Sequence, residues 1–199
     1  VIISPKHWEY LYIQRGEVSN AYSKGFDEWK RAYEESIANV MQSIAPALPK
    51  QVDQILDVGG GMGGIGIPLT QRYKGAGYRV LDGIDDKPMV VKHATTFNNA
   101  AVAADFLAAN GVKDFGHYSP TCPLDRKFEL VVSFAAWVFH FEPGEYLERV
   151  VAAMAPHATV ILDVRKDRTG WAIAFLKAFG RPSHVLERGK KHMRLAWQT

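Results

Sequence analysis

Cysteine is almost missing from this chain: Cys122 is the single one in 199 residues, so no disulfide forms within it and packing alone must hold the fold. The sequence also lacks a twenty-residue apolar run and a leader-like start, which argues against a membrane association and leads to the expectation of a reducing, cytoplasmic setting. HExxH and paired CxxC spacings are absent, so no metal site is expected. There is no internal repeat, no low-complexity tract and no long basic arm. The net charge of +3 is distributed in short groups such as Arg165-Lys166-Asp167-Arg168 and Gly189-Lys190-Lys191. Such groups read as solvated faces, and nucleic acid is not expected as a partner.

What is present is an alternation of strand-like and helix-like stretches, the pattern of a parallel sheet covered on both faces. Residues 1 to 50 stand apart as an N-terminal helical extension, with Trp29, Tyr33, Ile37, Val40, Met41 and Ile44 at helical spacing over 26–45. Residues 51 to 199 carry the alternation. Strands are predicted over 54–58, 78–85, 115–119, 128–134 and 158–164, and helices over 64–73, 98–111, 142–156 and 170–180. The tail reads as a hairpin of 184–188 and 192–197 that closes a sheet edge.

The chemistry concentrates in "QILDVGGGMGGIGI", residues 54 to 67. A strand that runs into glycines and then a helix lets backbone approach a ligand closely, and a sheet of this class binds ligands at the carboxyl ends of its strands. A turn built only for tight strand-to-helix packing is the alternative. Gly59, Gly61 and Gly64 also satisfy the dinucleotide fingerprint. Against a dinucleotide, Asp57 places a carboxylate two residues before the first glycine, where an ammonium group is favoured and a pyrophosphate is not. No Lys or Ser follows at P-loop spacing, and the rest of the chain is consumed by one sheet, leaving no separate substrate domain.

With Asp57-Val58-Gly59-Gly60-Gly61-Met62-Gly63 in view, the sequence resembles the class I S-adenosylmethionine-dependent methyltransferases, over residues 52 to about 197. The resemblance implies a three-layer αβα Rossmann-like fold, with a mostly parallel seven-stranded sheet and a C-terminal antiparallel hairpin. It implies S-adenosyl-L-methionine as cofactor, contacted by Asp57, Gly59, Gly60, Gly61, Met62 and Gly63, by Asp85 with Asp86 beside it, and by Ser133 and Phe134 at the end of the fourth strand. Asp85 would take the ribose hydroxyls, with Asp82 as a competitor. No carboxylate follows the third strand to read the adenine amine, which leaves Tyr118 and Ser119 as substitutes.

The acceptor is less legible. An Asn/Asp-Pro-Pro-Tyr/Phe signature is missing after the fourth strand, as is the acidic pattern of magnesium-dependent catechol-type enzymes. Trp137, Phe139 and Phe141 are expected either to line a methyl-transfer pocket or to pack in the core. His140 is the candidate proton acceptor, with His7 as a second. The aromatics of residues 1 to 50, namely Trp8, Tyr10, Tyr12, Tyr22, Phe26, Trp29 and Tyr33, are expected to form a lid, to pack on the sheet or to bury a homodimer interface. The resemblance implies a methyltransferase, and with these residues the expected acceptor is a small molecule, oxygen slightly ahead of nitrogen. A protein or RNA methyltransferase and a non-catalytic cofactor-binding partner protein are the alternatives.

Overall fold

The computed structural model describes residues 1–14, 25–82, 89–91, 94–96, 99–139 and 142–199. Helix α1 (Pro5–Gln14) and helix α2 (Phe26–Ile44) precede the first strand. Strands β1 (Gln54–Val58) and β2 (Gly77–Leu81) flank the short helix α3 (Gly66–Arg72). A small antiparallel hairpin, β3 (Met89–Val91) with β4 (Ala94–Thr96), follows. Then come α4 (Ala100–Ala109), β5 (Phe115–Tyr118), β6 (Phe128–Ser133), α5 (Leu147–Ala153), β7 (Met154–Arg165), α6 (Thr169–Phe179), β8 (His184–Arg188) and β9 (His192–Gln198).

Seven strands form one sheet in the order β5-β2-β1-β6-β7-β9-β8, and β9 alone runs against its neighbours. Strand order reverses between β1 and β6, so the crevice at a doubly wound sheet's carboxyl edge falls where β1 and β6 end. One face is covered by α1 to α4, through Leu11, Trp29, Tyr33, Ile37, Ile67, Phe106 and Leu107 packed on Ile55, Tyr78, Val80 and Val132. The other is covered by α5 and α6, through Val150 and Phe175 on Leu56, Val131, Leu162 and Trp197. The division expected near residue 50 therefore separates no core. Trp29 and Tyr33, stacked at 5.2 Å between centroids, are wholly inside it.

Several elements depart from the sequence reading, among them β2, expected over 78–85, which ends at Leu81. The helix expected over 142–156 is a 3-10 turn at Pro143–Glu145 and then the seven-residue α5. Met154 already pairs with Phe128, and Pro156, which has no N–H to donate, lies in the extended start of β7. Helix α3 begins at Gly66 rather than Gly64, which leaves Pro68 in its first turn, where its missing N–H costs nothing. Asn99 caps α4, accepting from the backbone N–H of Ala101 and Val102.

Candidate functional site

The segment after β1 turns through Gly59 (φ 73) and Gly61 (φ 56), left-handed backbone that glycine adopts without strain. Gly59, Gly60 and Gly61 are half-buried, whereas residues 62 to 67 are buried, so only the first part of the glycine run faces the crevice. The later glycines answer to packing. A Cβ on Gly66 would stand 2.5 Å from the Tyr78 ring, one on Gly63 would stand 3.0 Å from the same ring, and one on Gly64 would overlap the Tyr33 hydroxyl. The packing alternative therefore accounts for the second half of the motif.

Beneath the open half sits Asp57, buried, with the Tyr78 hydroxyl donating to its Oδ2 at 2.5 Å. A Cβ on Gly60 would meet that same oxygen at 2.5 Å, so the bare backbone lies directly over the carboxylate. Burial, and then the charge of Asp57, push the Tyr78 phenol well above its ordinary value and keep it a donor. Asp82 follows β2 and accepts the Gly61 N–H at 2.7 Å, fixing the turn from its other side. The Gly59 N–H donates to Leu81 O at 2.7 Å, extending the β1–β2 ladder into the loop.

The opposite wall is the loop after β6. Ala135 and Val138 both have positive φ (55 and 62), a strained state for a β-branched residue. This loop comes so close that a Cβ on Gly59 would meet the Ala136 Cβ at 2.5 Å. Further along, Ser133 pairs with Leu162, and Asp163, the residue after Leu162, pairs with Arg194, which places Phe134, Asp163 and Arg194 at one level past the sheet's apolar rows. Arg194 holds Asp163 through two bonds, Nε to Oδ1 at 2.8 Å and Nη2 to Oδ2 at 2.9 Å, and reaches Ser43 and Glu187 through Nη1. Its guanidinium lies 5.0 Å from the centroid of the Phe134 ring. Burial pushes the Asp163 carboxyl up, against the pull of Arg194. His192 stands just beyond, its buried Nε2 3.6 Å from Glu187 and 3.9 Å from Asp163.

Comparison with solved structures gives the architecture its parallels. A SAM-dependent methyltransferase from Aquifex aeolicus superposes with a TM-score of 0.59 at 16% identity, covering 81% of this chain and 88% of that one. A ribosomal protein L11 methylase from Lactobacillus delbrueckii subsp. bulgaricus gives 0.56 at 18% identity, with 78% and 74% covered. Precorrin-6y C5,15-methyltransferase from Geobacter metallireducens gives 0.53 at 13% identity, with 82% and 87% covered. The chain has the class I methyltransferase fold. No protein-family profile and no curated protein matches it.

Within this methyltransferase fold the residues singled out from sequence fall into three groups. Asp57, Gly59, Gly60 and Gly61 converge on the crevice, with Phe134 across from them. Met62, Gly63 and Ser133 are buried beside it: Met62 turns its side chain into the core, and the Ser133 hydroxyl donates to Val58 O at 2.7 Å and accepts the Trp137 N–H at 3.0 Å. Ser133 thus braces the two walls rather than facing the crevice. Asp85, Asp86, His140 and Phe141 lie outside the described residues. Trp137 is core, edge-on to Phe175 at 4.9 Å, as the packing alternative has it, and Phe139 is half-buried with its ring 6.1 Å from that of His192.

The other guesses resolve locally. His7 is buried with Nε2 2.9 Å from Asp105 and its ring against Phe106, which makes it a packing residue. Tyr118 packs against the second core cluster and its hydroxyl donates to Asp125, and the Ser119 hydroxyl donates to Cys122 Sγ at 2.9 Å. Sequence reasoning passed over Tyr78, Arg194 and His117. The last has a buried Nε2 without a hydrogen-bond partner, and burial lowers its pKa. A tyrosine two residues into a strand after a carboxylate-bearing one was the visible signal for Tyr78. Among the described residues no cluster has the make-up of a metal site, and no helix is long and apolar enough to cross a membrane.

Proposed function

We propose that this protein is an S-adenosylmethionine-dependent methyltransferase. The observation that carries the reading is the arc Gly59–Gly61, open to the crevice at the point where strand order reverses, with the Asp57 carboxylate under it and the Asp82 carboxylate locking it. These residues suit a ligand with an ammonium group at one end and a ribose in the middle: Asp57 favours the cation, the bare backbone lets the ligand settle, and Asp82 takes the ribose diol. Asp82 is preferred to Asp85 because it stands at the strand end and already contacts the loop. The cofactor, when bound, supplies a methyl group activated by its sulfonium. The chain's part is to hold the acceptor in line with that methyl and keep water out, and positioning of this kind is worth roughly 7 to 11 kcal/mol. Phe134, fixed under Arg194, forms the apolar wall on the acceptor side.

The simpler acceptor reading is a small molecule methylated on oxygen, with His140 taking the proton. Burial of Trp137 weakens it, since less of the aromatic enclosure remains. An acceptor presented on a larger anionic carrier is favoured by the cations at the outer end of the same crevice. Incubating the protein with tritium-labelled S-adenosylmethionine and fractionated metabolite and RNA extracts tests the reading. Label is expected to appear in one fraction, to vanish with Asp82→Ala, and to fall at least tenfold with His140→Ala if an oxygen accepts. Absence of transfer to every fraction, with cofactor binding intact, would favour the non-catalytic alternative.

A further inference from the structure

The sheet gathers the two short basic stretches that look unrelated in the sequence. Arg165 pairs with His192 across β7 and β9, and the Lys166 N–H donates to Lys191 O at 3.0 Å. Lys166 and Arg168, past the end of β7, therefore stand beside Arg188, Lys190 and Lys191 of the β8–β9 turn. All five are exposed, and none has a carboxylate at ion-pair distance among the described residues. The neighbouring acids are largely engaged: Asp167 by Arg165, and Glu187 by Arg194, which leaves Glu142 on the loop after β6. Two half-buried aromatics are interleaved with the cations, Trp171 under Arg168 at 4.9 Å and Phe139 under Arg165 at 5.4 Å. This rim is at the carboxyl end of β7, the same edge of the sheet as Gly59–Gly61, and Phe139 belongs to the loop that closes on Gly59.

We propose that the rim binds the phosphodiester backbone of single-stranded nucleic acid and presents one of its nucleotides to the crevice. Exposed cations gain little from a single small anion. A polyanion engages several at once and releases its condensed counterions, so the same residues suffice for a strand. Aromatic rings among the cations add sequence-tolerant stacking, the other part of a single-strand site. Presentation of the acceptor rests on the methyltransferase reading, whereas strand binding does not.

Fluorescence anisotropy with a labelled mixed-sequence oligonucleotide, made as RNA and as DNA, tests the proposal. The rim variant Lys166→Glu/Lys190→Glu/Lys191→Glu is compared with Lys50→Glu/Lys74→Glu/Lys113→Glu, which makes the same charge change on exposed residues preceding β1, β2 and β5, at the opposite end of the sheet. The rim variant is expected to lose more than tenfold in affinity and to flatten the slope of log K against log salt by about 2, for three phosphate contacts at about 0.7 each. The far-end variant should stay within threefold of wild type. Tighter binding of the RNA arm would support the proposal and add the 2′-hydroxyl to it. Equal losses in the two variants, no binding of either oligonucleotide, or binding to phosphatidylserine vesicles but to neither strand would overturn it. Calorimetry with S-adenosylhomocysteine on the same variants separates the two readings. A rim variant that keeps cofactor affinity but loses the strand supports this inference, while a wild-type chain that binds strand and not cofactor removes the methyltransferase reading and leaves the rim.

Discussion

The two wings of the crevice handle buried charge in opposite ways. On the β1–β2 side, a phenol donates to Asp57 and a backbone N–H to Asp82, so an uncharged donor orients each carboxylate. On the β7–β9 side, Asp163 is held by a guanidinium, and exposed lysines and arginines extend the positive character outward. The same edge of one sheet is thus acidic where the cofactor's cationic end is proposed to lie and basic where the acceptor is proposed to arrive. The lesson is that a donor without charge orients a carboxylate and leaves its field available to a ligand, whereas a bidentate guanidinium consumes it.

Breaking the basic wing is expected to have the largest effect. Asp163→Ala leaves Arg194 buried with half its hydrogen bonds, and unfolding in urea should show a loss of about 3 kcal/mol or more. Replacing both, Asp163→Leu with Arg194→Met, should be distinctly less damaging than the single change, because no uncompensated charge remains buried. On the acidic wing, Asp82→Asn should leave stability nearly unchanged but weaken S-adenosylhomocysteine binding by about 1.5 to 3 kcal/mol, roughly ten- to a hundredfold, as read by calorimetry. Unaltered affinity there would move the ribose contact away from β2.

A smaller effect separates orientation from charge. Tyr78→Phe removes the donor to Asp57 and should cost about 1 to 3 kcal/mol of stability, since it leaves a buried acceptor short of a bond. It also carries a pH signature. The Tyr78 phenol is raised in the folded state, so its contribution is complete below the unfolded value of about 10 and is lost as pH rises through the folded one. Wild type should therefore lose stability in the alkaline limb above about pH 10, and the variant should lose less over the same range. Least affected should be Arg168→Gln, an exposed change expected to move stability by less than about 0.5 kcal/mol while lowering strand affinity.

The acidic wing was readable in the sequence because it is contiguous. Asp57 and the glycines fall within one strand and its turn, and the apolar run of β1 and the Asn99 cap fix neighbouring elements through local chemistry. Asp82 was harder to choose, because β2 ends at Leu81 and nothing in "LDGIDD" marks that end. The basic wing was invisible for a different reason. Arg194 meets Asp163, and Lys191 meets Lys166, only through the antiparallel placement of β9 between β7 and β8, a long-range pairing that no local period encodes. Trp137 stayed open between pocket and core because an aromatic after a strand looks the same whether the loop turns toward the crevice or into the second core. The strained turn at Ala135 and Val138 lies on either side of it.

Titration calorimetry with S-adenosylhomocysteine, set beside NAD under the same conditions, reaches the central claim most directly. One molecule of S-adenosylhomocysteine is predicted to bind per chain, with affinity collapsing in Gly60→Val, where the new side chain would be driven onto the Asp57 carboxylate. Heat from NAD and none from S-adenosylhomocysteine, or equal binding by wild type and the valine variant, would contradict it.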